Sequence, residues 1–169
     1  AKESLGVCDW MFPLIDVPKG SNHVGDPSFE SRILSAVIGR EVSEEELARV
    51  GERVFNLQRA ALLREGHRAG DDDHLPREWH EKAIETHVAD PELLAPGPDG
   101  EVQSQLGRRI DLETYRGLRA EYYELRGWDV PTGLQSRETL QELGLSDVAE
   151  DLMSCGLAVE IARKRTLHY

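Results

Sequence analysis

The chain has 169 residues and a mass of 19.0 kDa, and its 32 acidic against 20 basic side chains leave a formal charge of −12. That balance excludes an ordinary binder of duplex DNA or RNA, because affinity for phosphate backbones comes from clustered Lys and Arg, so no nucleic-acid partner is expected. A chain this long buries roughly 70% of its unfolded surface around one core, and an apolar content of 39% is low enough that this core is expected to lean on a partner.

Two cysteines, Cys8 and Cys155, are too few for a secreted disulfide framework and point to a reducing compartment. No run approaches the roughly 18 to 20 apolar residues of a membrane helix, and nothing resembles a signal peptide. A cytoplasmic protein without a membrane span is therefore expected. Ala1 in place of Met, with a motif-like segment within three residues of it, suggests a piece of a longer polypeptide; Met removal before Ala would look the same.

In chain order, residues 1 to 27 read as loop, punctuated by Pro13, Pro18, Gly20, Gly25 and Pro27. Asp26 or Ser28 can cap a first helix to about Ile38, with Phe29, Ile33, Leu34, Val37 and Ile38 as its apolar side and Gly39 as its stop. Ser43-Glu44-Glu45-Glu46 has the capping-box pattern and predicts a helix over 44 to 65, its apolar face being Leu47, Val50, Val54, Leu57 and Ala61. From Gly66 to Gly107 the pattern degrades into a long surface excursion containing Asp71-Asp72-Asp73, a short turn near Pro76 to Lys82 and the breaker run P-G-P-D-G.

Asp111 then caps a helix through Leu112, Tyr115, Leu118, Tyr122 and Leu125 to Gly127. Ser136 caps 137 to 143, Ser146 caps 147 to 155, and 157 to 165 reads as a last helix ending in the basic run Arg163-Lys164-Arg165. No alternating strand pattern stands out. The architecture predicted is all-α, a multihelical domain with one long irregular insert.

Few residues here suggest chemistry. Cys8 sits in the breaker-flanked loop E-S-L-G-V-C-D, where a thiolate would suit iron or zinc and Gly6 would let the backbone approach a cofactor closely; the plainer alternative is a small buried hydrophobe. Cys155 ends a short amphipathic helix and reads as buried packing. The histidines at 23, 67, 74, 80, 87 and 168 include no H-x-x-x-H pair and form no zinc template. His74 and His80, flanking Pro76 and Trp79, read as surface or packing residues with a substrate-side role as the alternative. Asp71 to Asp73 lack the Gly and distal Glu of a calcium loop and read as a solvated turn. No nucleophile elbow, phosphate loop or dinucleotide fingerprint occurs.

The run E-S-L-G-V-C-D resembles the D-x-x-G-x-C element in the third domain of the tungsten-containing aldehyde ferredoxin oxidoreductase family. Two further stretches agree, R-E-G-H-R-A-G-D-D-D-H-L-P-R from Arg64 to Arg77 and Y-Y-E-L-R-G-W-D-V-P-T-G-L-Q-S-R-E-T-L-Q-E-L-G-L from Tyr122 to Leu145. The similarity spans residues 3 to 150, so it implies a helical cofactor-facing domain over 1 to 150 and a C-terminal helical extension over 151 to 169, within a larger multidomain enzyme. The segment Cys8-Asp9-Trp10 also resembles the tungsten subunit of class II benzoyl-coenzyme A reductase, which reduces an aromatic ring.

The resemblance implies a 4Fe-4S cluster beside tungsten, or molybdenum, held by two pterins. Cys8 matches the cluster ligand of the motif, and Glu3 takes the place of its pterin-binding acid, one methylene longer than the family's Asp; Gly6 and Val7 lie between them on the cofactor side. The implied reaction is oxidation of an aldehyde to an acid, with electrons leaving through the cluster to ferredoxin or a partner iron-sulfur subunit. Partner domains of the same enzyme would supply the remaining ligands, and no catalytic residue is assigned within this chain. The alternative from another class is a non-catalytic helical interaction module.

Overall fold

The computed structural model describes residues 26, 28–86 and 90–161. The elements are, in order, α1 (Phe29–Ile38), α2 (Glu44–Arg64), α3 (Ala69–Asp72), α4 (Arg77–Glu81), β1 (Leu94–Pro96), β2 (Val102–Ser104), α5 (Leu112–Arg126), β3 (Gln135–Ser136), α6 (Arg137–Glu142), α7 (Ser146–Ser154) and β4 (Ala158–Val159). Their contacts divide the described residues into two compact units, one comprising those up to Gly66 together with those from Leu134 onward, the other His67 to Gly133. The boundary expected at 150 falls inside α7.

The capping signals identify most helix ends. The Ser43 hydroxyl accepts the Glu46 N–H at 3.1 Å, Asp111 accepts the Thr114 N–H at 2.8 Å, and Ser136 accepts the Thr139 N–H at 3.1 Å. At α1 the N-cap position is Ser28, which makes no side-chain cap bond; its N–H donates to the Asp26 carboxylate at 3.0 Å, and that carboxylate pairs with Arg32 at 3.2 Å. Gly127 ends α5 at φ +67°, a left-handed conformation that glycine adopts without a Cβ penalty.

In the first unit, β3 and β4 form a two-stranded parallel pair joined by the crossover through α6 and α7. Ala60 of α2 packs with Leu140, Leu143, Leu145, Ala149, Leu152 and Ala158 to form the core, in which Leu140, Ala149 and Leu152 are wholly enclosed. Buried Gln135 on β3 donates to the Asn56 carbonyl at 2.9 Å and to its side-chain oxygen at 2.7 Å, tying the sheet to α2. The helix expected over 157 to 165 is thus corrected within the described residues: 158–159 is strand, because its backbone pairs with β3 and Ala158 faces the core. A nine-residue helix would have left that strand edge without a partner.

In the second unit the excursion between Gly66 and Gly107 proves to be structured. It contains α3, α4 and an antiparallel hairpin whose register pairs Leu94 with Ser104 and Pro96 with Val102. The run P-G-P-D-G belongs to the hairpin connection, with the Gly97 N–H donating to Glu101 O at 2.7 Å. Two backbone bonds, Ile84 N–H to Arg108 O and Gly107 N–H to Ile84 O, both 2.8 Å, close the base of this insert. Among the described residues the fold is multihelical, as expected, and two small two-stranded sheets refine the all-α reading.

Both long helices bury a different face from the one predicted. On α2 only Leu47 of the expected stripe is buried; Val50 and Leu57 are 39% and 47% exposed, and the helix instead buries Asn56, Arg59, Ala60 and Leu63. On α5, Leu112, Leu118 and Leu125 are exposed and Tyr123 is buried. Each helix carries two stripes of helical period, and hydropathy selects the more apolar one while packing within the units uses the more polar one.

Two outcomes check this arrangement. Leu63→Ala should cost about 2 to 5 kcal/mol in chemical denaturation, whereas Leu57→Ala should cost about 0.5 kcal/mol or less. The Asp111 carboxyl lies below the usual carboxylate range, first because of the Thr114 backbone N–H and next because of its hydroxyl. A carboxyl whose folded pKa is lowered stabilises above its unfolded pKa, and that contribution fades as pH falls through the folded value. Asp111→Asn, which keeps the cap but not the charge, should therefore narrow the stability loss measured between about pH 7 and about pH 3.

Candidate functional site

The residues that the motif points to, Glu3, Gly6, Val7 and Cys8, lie outside the described residues, as do His23, His87 and His168. Among the described residues no three His, Cys, Asp or Glu side chains are grouped to hold a metal ion. Cys155 is exposed at the end of α7, not buried as expected, with its sulfur 3.2 Å from the Arg64 guanidinium. That guanidinium also grips both Asp151 oxygens at 3.0 and 2.9 Å, so the thiol sits beside an ion pair, with no second soft ligand among the described residues.

The densest polar cluster is built where two of the motif-bearing stretches meet. Helix α3 ends at Asp72, which leaves Asp73 just beyond it, and α5 presents Tyr115, Arg119 and Tyr123 at i, i+4 and i+8 along one face. The Tyr123 hydroxyl donates to Asp73 Oδ2 at 2.5 Å, and His67 Nε2 lies 2.7 Å from Asp73 Oδ1. The Asp73 carbonyl receives Arg119 at 2.7 Å and the Tyr115 hydroxyl at 3.2 Å, and Arg119 reaches the Ala69 carbonyl at 3.3 Å.

These donors satisfy carbonyls that a four-residue helix cannot pair internally. Tyr123, 2% exposed, packs its ring against Trp128 with centroids 5.8 Å apart, and Ala69 joins them in the core of the second unit. Asp71 and Asp72 face water as expected, but Asp73 does not fit the solvated-turn reading. The available signal was the donor stripe Tyr115-Arg119-Tyr123, hidden beneath the apolar period of the same helix. His80 also has a structural role, its Nδ1 lying 2.8 Å from the Ile110 carbonyl and its ring against Tyr115, while His74 is exposed.

The cluster ties two segments together through hydrogen bonds already made to Asp73 and Ala69. Tyr123→Phe would leave Asp73 Oδ2 without its phenolic donor and should cost about 1 to 3 kcal/mol by chemical denaturation, with helical circular dichroism retained. A loss below about 0.5 kcal/mol would show that water replaces the hydroxyl freely.

A sequence profile described as aldehyde ferredoxin oxidoreductase, domains 2 and 3, matches residues 1–145. The tungsten-containing aldehyde ferredoxin oxidoreductase of Pyrococcus furiosus is 29% identical over 115 residues, which cover 68% of this chain and 16% of the relative. The enzyme of the same name from Thermococcus kodakarensis is 28% identical over the same length and shares. Among solved structures, the active-site complex BamBC of benzoyl coenzyme A reductase with 1,5-dienoyl-CoA is similar in fold, with a TM-score of 0.54, 24% identity, and coverage of 77% of this chain and 16% of that one. The chain thus spans about one sixth of the relatives it matches. No described helix is long and apolar enough to cross a membrane. With the profile match running through all three motif-bearing stretches, the chain belongs to the aldehyde ferredoxin oxidoreductase family, in which it corresponds to the region of domains 2 and 3.

Proposed function

We infer that this chain is the C-terminal, cofactor-facing part of a tungstopterin and iron-sulfur oxidoreductase that oxidises aldehydes to carboxylic acids. The observation that carries the reading is the family match beginning at residue 1 and so including E-S-L-G-V-C-D. The donor set fits: a thiolate is a natural ligand for cluster iron, and a carboxylate accepts adjacent N–H groups of a pterin edge. Cys8 would ligate a 4Fe-4S cluster, Glu3 would orient a pterin of the tungsten, or molybdenum, centre, and Gly6 and Val7 would bring the backbone close to it. Exposed Cys155, held beside Arg64 and Asp151, fits neither role.

When bound, the metal-pterin centre supplies two-electron chemistry and the cluster passes electrons singly to ferredoxin or to an iron-sulfur partner subunit. The protein's part is to position and to exclude. The exposed apolar faces of α2 and α5 support a chain that packs against further domains of the same enzyme, because large apolar side chains such as Leu57, Leu118 and Leu125 would there be removed from water. Ring reduction on a coenzyme A substrate is the second reading, supported by Cys8-Asp9-Trp10 and by the likeness in fold to BamBC.

In the complete enzyme, Cys8→Ala should lose or rearrange the cluster, read as iron content and electron paramagnetic resonance, while Cys155→Ala leaves iron unchanged. Equal iron in wild type and Cys8→Ala would overturn the assignment and favour an interaction module. Hydrogen bonds to a charged acceptor contribute about 1.5 to 3 kcal/mol each, so Glu3→Gln should lower pterin and tungsten retention while Glu3→Asp preserves it. Aldehyde-dependent reduction of ferredoxin against turnover of a cyclic dienoyl-coenzyme A separates the two reactions.

A further inference from the structure

The base of the insert in the second unit carries a cleft that the proposed reaction does not use. It has a volume of about 370 Å³ and is lined by Glu78, Trp79, Lys82, Ala83, Ile84, Arg109 and Ile110. Its backbone is held on both sides. The Ile110 N–H donates to Trp79 O at 3.1 Å, the Ile84 N–H to Arg108 O at 2.8 Å, and His80 binds the Ile110 carbonyl at 2.8 Å. The cleft is therefore preformed, which lowers the ordering cost of binding.

Its chemistry is mixed in a particular way. Trp79 is 55% exposed and Ile84 39%, so an aromatic face and an aliphatic floor stand open to water, where they gain by being covered. Lys82 and Arg109 lie on the same cleft, and neither has an ion-pair partner within 4.0 Å among the described residues. The neighbouring charges are accounted for: Arg77 pairs with Glu81 at 2.5 Å, Arg108 binds Gln103 at 2.9 Å, and Asp111 is engaged by Thr114 while feeling the Arg109 charge. In a chain of net charge −12, two cations beside an exposed indole single this cleft out.

We propose that the Trp79 cleft binds a planar aromatic ligand bearing an anionic group, its ring stacked on the indole and its anion between Lys82 and Arg109. Stacking on tryptophan requires a flat π-face and tolerates many ring types. The cations then select charge: a guanidinium and an ammonium both favour a carboxylate or phosphate, and together they outnumber the one lining carboxylate, Glu78. Nucleotides and aromatic carboxylates share this chemistry. The volume lies at the small end of ligand sites and suits one fused ring system with its acid group.

The test uses the full 169-residue chain with adenosine monophosphate and 2-naphthoate as probes, titrated by calorimetry and by quenching of indole fluorescence. At least one probe should bind, and Trp79→Ala and the pair Lys82→Ala with Arg109→Ala should each weaken it about tenfold. Lys82→Glu with Arg109→Glu should abolish it, and these exposed positions leave helical circular dichroism unchanged as the control. Binding of adenosine monophosphate alone assigns a nucleotide, and binding of naphthoate alone an aromatic acid; either supports the proposal. Failure of both probes, affinity unmoved by the variants, or equal binding of uncharged adenosine and 2-naphthamide would overturn it. The outcome is independent of iron, tungsten and the role of Cys8.

Discussion

The carboxylate and carbonyl of Asp73 hold the segment from His67 to Asp73 against α5, and the second unit is organised around that clamp. A four-residue helix has no cooperative stability of its own, since nucleation fixes several residues before hydrogen bonds accumulate. What keeps α3 in place is tertiary: Arg119 and two tyrosine hydroxyls supply donors, and the Tyr123 and Trp128 rings cover Ala69. The same clamp positions Tyr115 and His80, and through His80 the Ile110 backbone on which the Trp79 cleft rests.

The first unit solves the same problem differently. Its two strands are two residues long, too short to persist by pairing alone, and a parallel pair requires a crossover. The crossover is the α6 and α7 hairpin, whose Leu140, Ala149 and Leu152 form the core, so sheet and helices stabilise one another. Asn56 receives the Gln135 amide N–H groups, while Gln135 Oε1 is buried without a hydrogen-bond partner among the described residues. Polar burial on α2 is therefore a specific link between helix and sheet.

Membership in an enzyme family and absence of a metal cluster among the described residues are compatible, because the proposed cofactor ligation rests on one short stretch, residues 3 to 8, outside the described residues. A helical scaffold that would contribute a thiolate and a carboxylate needs rigidity more than reactivity of its own. The clamp at Asp73 and the capped helices supply it. Large apolar side chains on α2 and α5 stand exposed, and the proposed packing against further domains would remove them from water.

Helix existence and most helix ends were legible in the sequence, because a cap is a local event: Ser43, Asp111 and Ser136 each bond an N–H three residues on, whatever the rest of the chain does. The family resemblance was legible for a similar reason, since the motif around Cys8 is contiguous. The face each helix buries was not, because α2 and α5 each carry two stripes with helical period and only their neighbours choose between them. Nor was β4, whose two residues become strand only because β3, more than twenty residues earlier, offers them an edge. The Asp73 cluster and the Trp79 cleft depend on residues some thirty to fifty positions apart. Local hydrogen bonds thus set the elements, while burial and long-range polar pairing, which no contiguous window contains, decided how they are used.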